Sequence, residues 1–128
     1  MKIAADPRAE YRHQHRVADA YATDAIYRSV AEDYVAEFNR LVAEWRRATA
    51  ALSFTDQKKA HPALRRIVAM RDLALPLILR ELRQRPDFLF LALPDITGED
   101  PGAGAKAGGP RAMVDAWLRW AERNGHAD

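Results

Sequence analysis

The chain has 128 residues and a mass of 14.5 kDa, with 48% hydrophobic residues, 30% charged residues and a formal net charge of +2. That length supports one core rather than two, and the balance of apolar and charged residues excludes the low-hydrophobicity, one-signed composition of a disordered chain. The absence of cysteine excludes a disulfide framework, a thiolate metal site and a cysteine nucleophile.

The opening MKIAADPRAEYRHQ lacks the apolar centre of a signal peptide, and no apolar stretch approaches the roughly 18 residues of a membrane span, so a cytoplasmic protein is expected. Charge is unevenly placed. Residues 1–50 carry 8 basic and 8 acidic side chains, residues 51–94 carry a net +4, and residues 95–128 a net −2. A basic middle suits an anionic partner, or is simply a solvated arginine face.

Asp6-Pro7 opens a first helix, with Asp6 as the capping acceptor and Pro7 where no amide donor is needed. Near Thr23-Asp24 or Ser29 the pattern weakens, so that a new helix could be capped there, or one helix could run on. From Tyr27 the period is strong: Tyr27, Val30, Tyr34, Phe38, Leu41, Trp45, Ala48 and Leu52 follow at three or four residues. This stripe is read as the core-covering side of a long helix, with Tyr11, Tyr21 and Tyr27 reaching past the domain to a partner or a second copy.

Ser53–Ala60 is polar and reads as a connecting loop. Pro62 restarts a helix with Leu64, Ile67 and Val68 on one side, ending near Arg71-Asp72. The next places Leu75, Ile78, Leu79 and Leu82 inward and Arg80, Arg83 and Gln84 outward, with Pro76 tolerated in its first turn. The run Phe88–Leu93 is apolar in every direction, fits a helix or a buried strand, and is expected to end at Pro94. Gly98–Pro110 holds five of the six glycines and reads as a flexible loop, and its glycine spacing matches no phosphate-binding pattern. Pro110 begins the last helix, with Met113, Ala116, Trp117, Trp120 and Ala121 on its apolar face and Gly125 as its stop. Trp45, Ile67, Ile78, Leu82, Leu91 and Trp117 are the predicted core.

Few residues suggest chemistry. His13 and His15 stand two apart and diverge on a helix, so they cannot share a metal. His61 precedes a proline and fits a helix cap or a ligand contact. Asp95, Thr97, Glu99 and Asp100 could bind a cation or act as acid and base, but they also suffice as turn and helix-end residues. No catalytic residue, metal or cofactor is expected.

The stretch HPALRRIVAM, LALPLILREL and PDFLFLALPDITGEDP resembles the helical pairs of HEAT-type repeats. From Leu41 to Trp120 the chain also resembles an uncharacterised family of small bacterial proteins carrying W-x-x-x-T, H-P-A-Y-x-x-I-I-x-M-G, A-V-P-L-I-L-x-E-L, W-A-L-x-x-I-T-G-E-x-P and A-W-L-x-W in that order. The matching positions include Trp45, Thr49, His61-Pro62-Ala63, Ile67, Met70, Leu75 to Leu79, Glu81-Leu82, Ala92-Leu93, Ile96 to Glu99, Pro101, Ala116 to Leu118 and Trp120. Leu64 replaces the pattern's tyrosine and Arg71 its glycine.

The resemblance implies a two-gene unit like those of toxins with antitoxins or effectors with immunity proteins. The expectation is an all-α domain of five or six helices with HEAT-like stacking at residues 31–128, a flexible loop at 98–110 and an N-terminal helical extension at 1–30. Its expected role is to bind, and thereby neutralise or stabilise, a cognate protein from an adjacent gene, through Tyr11, Tyr21, Tyr27, Arg80 and Arg83 and without enzymatic activity. The alternatives are a nucleic-acid-binding regulator using Arg65, Arg66, Arg80, Arg83 and Arg85, and an enzyme using His61 and the acids of ITGED.

Overall fold

The computed structural model describes the backbone of residues 7–126 and the side chains of residues 25–126. The described residues contain no strand. Six α-helices are present, α1 (Pro7–Thr49), α2 (Thr55–Ala60), α3 (Pro62–Ala69), α4 (Leu75–Gln84), α5 (Leu93–Thr97) and α6 (Gly109–Arg123), with 3-10 turns at Arg71–Leu73, Phe88–Ala92 and Ala103–Gly108.

Prolines set most of the helix starts. Pro62 is the first residue of α3, and Pro76, Pro94 and Pro110 are the second residues of α4, α5 and α6, where an amide donor would have no intrahelical acceptor. His61 adds a cap to α3, its Nδ1 accepting the Ala63 amide at 3.0 Å. Beyond Met70 the chain turns through Arg71, whose φ of 54° lies in the left-handed region that glycine occupies without strain. Gly98, at φ 74°, closes α5 in the same region at no steric cost.

Two compact units are distinguished, residues 1–35 and residues 36–128. The described part of the first, residues 7–35, is the N-terminal length of α1. The second has its own core, in which Phe38, Leu41 and Trp45 of α1 join Leu64 and Ile67 of α3, Ile78, Leu79 and Leu82 of α4, and Val114 and Trp117 of α6. In this unit α3 packs on α2 and α5, and α4 packs on α6. The turn Phe88–Ala92 touches α2, α3, α4 and α6, and Leu89, Phe90 and Ala92 are buried there. Contact from several sides leaves this segment little solvent face to encode, although Phe88 and Leu91 are only half-buried.

Polar ties cross the second unit. The Trp45 indole donates to the Lys58 carbonyl at 2.8 Å, and the Trp120 indole to the Glu99 carboxylate at 3.0 Å. Arg46, mostly buried, reaches Glu81 at 3.2 Å and Asp87 at 2.9 Å, while the other oxygen of Asp87 accepts the Leu89 amide and caps the central turn.

Several sequence expectations need correcting. The first helix, for which a break near residues 23–29 and a continuous run were both open, runs without a break to Thr49. The polar stretch Ser53–Ala60 contains α2, and the central apolar run is a 3-10 turn, neither a regular helix nor a strand. Pro94 lies inside α5 as its second residue instead of ending a run, because the first turn of a helix accommodates it. The 98–110 segment contains the 3-10 turn Ala103–Gly108 and the start of α6, and a Cβ on Gly108 would lie 2.6 Å from that of Ala112. Of the predicted core, Leu91 is only half-buried; the other five residues are buried.

Candidate protein-interaction surfaces

The first unit exposes an apolar helix side. Ile26, Tyr27, Val30, Tyr34 and Val35 retain between 40% and 70% of their accessible surface, with Tyr27 at 70%. At about 100° per residue, Ile26, Tyr27, Val30 and Tyr34 fall within an arc of roughly 100°, and Val35 flanks it. In the second unit, by contrast, Phe38, Leu41 and Trp45 are only 1–2% exposed. A cluster of large exposed apolar side chains on one helix marks a surface that loses unfavourable hydration when covered.

This corrects the assignment of Val30 and Tyr34 to the core. Their spacing is that of the buried positions further along, so periodicity identifies the apolar side without showing whether anything faces it. Tyr27 has the exposure expected of a partner-contacting residue, and the side chains of Tyr11 and Tyr21 lie outside the described residues. Ile26, Val30, Tyr34 and Val35 join the candidate surface. Ile26 and Val35 were not singled out by the stripe because they stand at its edges.

A second surface lies between α4 and the end of α6. Pro76, Leu77, Arg80, Arg83, Gln84, Gly125 and His126 line a recess of about 620 Å³. Arg83 donates through Nη2 to the His126 carbonyl. His126 is held in turn by its amide, which donates to the Ala121 carbonyl at 2.8 Å, and by its ring, stacked on Trp120 with centroids 5.6 Å apart and planes inclined by 12°. The Arg80 side chain has neither an ion pair nor a hydrogen bond, and no carboxylate lines the recess, among the described residues. Arg80 and Arg83 thus share one site, while Tyr27 belongs to the other unit.

Other candidate residues are occupied in the fold. Arg65 pairs with Asp95 at 2.7 Å, Lys59 approaches the same carboxylate at 4.0 Å, and Arg71 donates to the Asp95 carbonyl at 2.9 Å. The hydrogen bond from Arg65, supported by the charges of Lys59, Arg65 and Arg71, holds the Asp95 carboxyl below its ordinary value of 3.8 against the opposing effect of burial. Arg65 therefore adds little free positive charge to a nucleic-acid face, whereas Arg66, Arg80, Arg83 and Arg85 remain exposed.

The residues considered for acid-base chemistry also have structural roles. His61 caps α3, Thr97 Oγ1 donates to the Leu93 carbonyl at 2.8 Å and accepts the Glu99 amide at 3.1 Å, and Glu99 receives the Trp120 indole. Among the described residues no three His, Cys, Asp or Glu side chains are grouped to hold a metal, and no helix is long and apolar enough to cross a membrane. Compared with protein-family models, with curated proteins and with solved structures, the chain matches none of them.

Proposed function

We propose that this chain is a non-enzymatic helical interaction module that binds a cognate protein, the exposed side of α1 around Tyr27 and Tyr34 supplying its apolar contact. The observation that carries this reading is the exposure of Ile26, Tyr27, Val30, Tyr34 and Val35 within ten residues of one helix. Buried aromatic and arginine side chains dominate the energy of protein interfaces, and this chain displays tyrosines on one unit and Arg80 and Arg83 on the other. The resemblance to the small bacterial family extends the proposal to neutralisation of a partner encoded nearby, in the manner of an antitoxin or immunity protein, and to HEAT-like helical pairing. The left-handed backbone of Arg71, at the place where that family's pattern has glycine, supports the resemblance.

The experiment is affinity purification of the intact chain from its native host beside a Tyr27→Ala, Tyr34→Ala double variant and an Arg80→Gln, Arg83→Gln double variant. A stoichiometric protein retained by the parent and lost with the tyrosines is the expected result, with the arginine variant mainly slower to associate. Retention of nucleic acid in a salt-dependent manner, abolished by the arginine changes and indifferent to the tyrosines, would instead establish the nucleic-acid reading.

A further inference from the structure

We infer that the recess between α4 and the end of α6 is a binding site for a small oxyanion bearing an apolar substituent, a carboxylate or phosphate held by Arg80 and Arg83 with its body over Leu77 and Pro76. The recess has the volume of a small-molecule site. Its lining combines two guanidinium groups, the Gln84 amide and the apolar side chains of Pro76 and Leu77, and among the described residues it includes no acidic one.

Several other arginines of the second unit are already engaged by carboxylates. The exposed cation Arg40 is paired with Glu37 at 2.7 Å, Arg65 with Asp95 at 2.7 Å, and Arg46 with Glu81 and Asp87. The side chain of Arg80, three residues before Arg83 on the same side of α4, has no partner among the described residues. Guanidinium donors form charge-assisted, often bidentate bonds to carboxylate and phosphate, so two of them at one recess favour an oxyanion over a neutral ligand.

One wall is fixed before any ligand arrives. Arg83 is tethered to the His126 carbonyl, and His126 is itself fixed by the Ala121 carbonyl and by Trp120. Arg83 retains Nε and Nη1 for a ligand while its side chain is already ordered, which lowers the entropic cost of binding. The inference shares Arg80 and Arg83 with the proposed protein-binding role but none of the exposed apolar residues of α1, so failure of small-anion binding leaves the tyrosine contact standing.

The test is titration of the full-length chain, followed by amide chemical shifts and by calorimetry, with inorganic phosphate, phenyl phosphate and benzoate as probes. Saturable shifts confined to residues around 76–84 and 125–126 are expected, with phenyl phosphate binding more tightly than inorganic phosphate because of the apolar Pro76 and Leu77. Arg80→Gln, which breaks no bond of the fold, should weaken phenyl phosphate about tenfold, the loss of one charge-assisted contact. Arg66→Gln, an equally exposed cation on α3, should leave binding unchanged. The inference is overturned if no probe gives saturable shifts at the recess, if Arg66→Gln weakens binding as much as Arg80→Gln, or if the shifts follow ionic strength alone. Unchanged melting of the Arg80 variant separates loss of the site from loss of the fold.

Discussion

Comparing a truncation at Ile78 with one at Tyr27 and Tyr34 tests the assignment of the buried and exposed helix sides. Ile78 is fully buried, and Ile78→Ala removes three carbon groups worth about 0.8 kcal/mol each in transfer alone, roughly 2.4 kcal/mol, with an unrelaxed cavity raising the cost toward about 5 kcal/mol. Tyr27 and Tyr34 are 70% and 41% exposed, so their truncation forfeits a smaller share of buried surface than truncation of Ile78 does. Alanine is the better helix former by a few tenths of a kcal/mol at each position, which offsets that loss. The Tyr27→Ala, Tyr34→Ala chain should therefore melt within about 0.5 kcal/mol of the parent.

Urea denaturation followed by circular dichroism gives both numbers, provided the slope is unchanged and the midpoint is read at two protein concentrations. A tyrosine double variant losing more than about 1 kcal/mol with a concentration-independent midpoint would show that the stripe is covered within one chain, and would remove the surface on which the proposed function rests. A concentration-dependent loss would place a second copy on it. An Ile78→Ala cost below about 0.5 kcal/mol would mean that the inward side of α4 is wrongly assigned.

The Asp95 carboxyl is held below its ordinary value in the fold, so between the folded and ordinary values the unfolded chain binds more protons. Its contribution is present above the ordinary value of 3.8 and is lost as pH falls through the folded value; Asp95→Asn should flatten this acid limb in a series of thermal melts. At residue 71, glycine relieves the left-handed backbone and alanine does not, so Arg71→Gly should be more stable than Arg71→Ala by about 1 kcal/mol, although both lose the bond to Asp95. Equal melts would remove strain as a factor there. Arg46→Ala should cost about 1 to 3 kcal/mol, since it leaves Glu81 and Asp87 half-buried without their cation, and an Arg46→Ala, Glu81→Ala, Asp87→Ala cycle in denaturant would reveal the coupling.

The sequence determined the all-α class and most of the inward sides, because a three-to-four residue period and prolines in first turns are local consequences of helix geometry. Leu64, Ile67, Ile78, Leu82 and Trp117 could be placed inside from spacing alone. His61 was legible as a cap because it stands before a proline that opens a helix. Tertiary structure decided what local periodicity does not encode. It made Phe88–Ala92 the contact hub of the second unit, and paired Arg65 with Asp95 and Arg46 with Asp87 across large sequence separations. It also decided the fate of the α1 stripe: Phe38, Leu41 and Trp45 are covered by the helices of the second unit, whereas Tyr27, Val30 and Tyr34, with the same spacing, are exposed. A helix writes its apolar side into the sequence through its own turn, but whether that side meets protein or water depends on where distant parts of the chain pack.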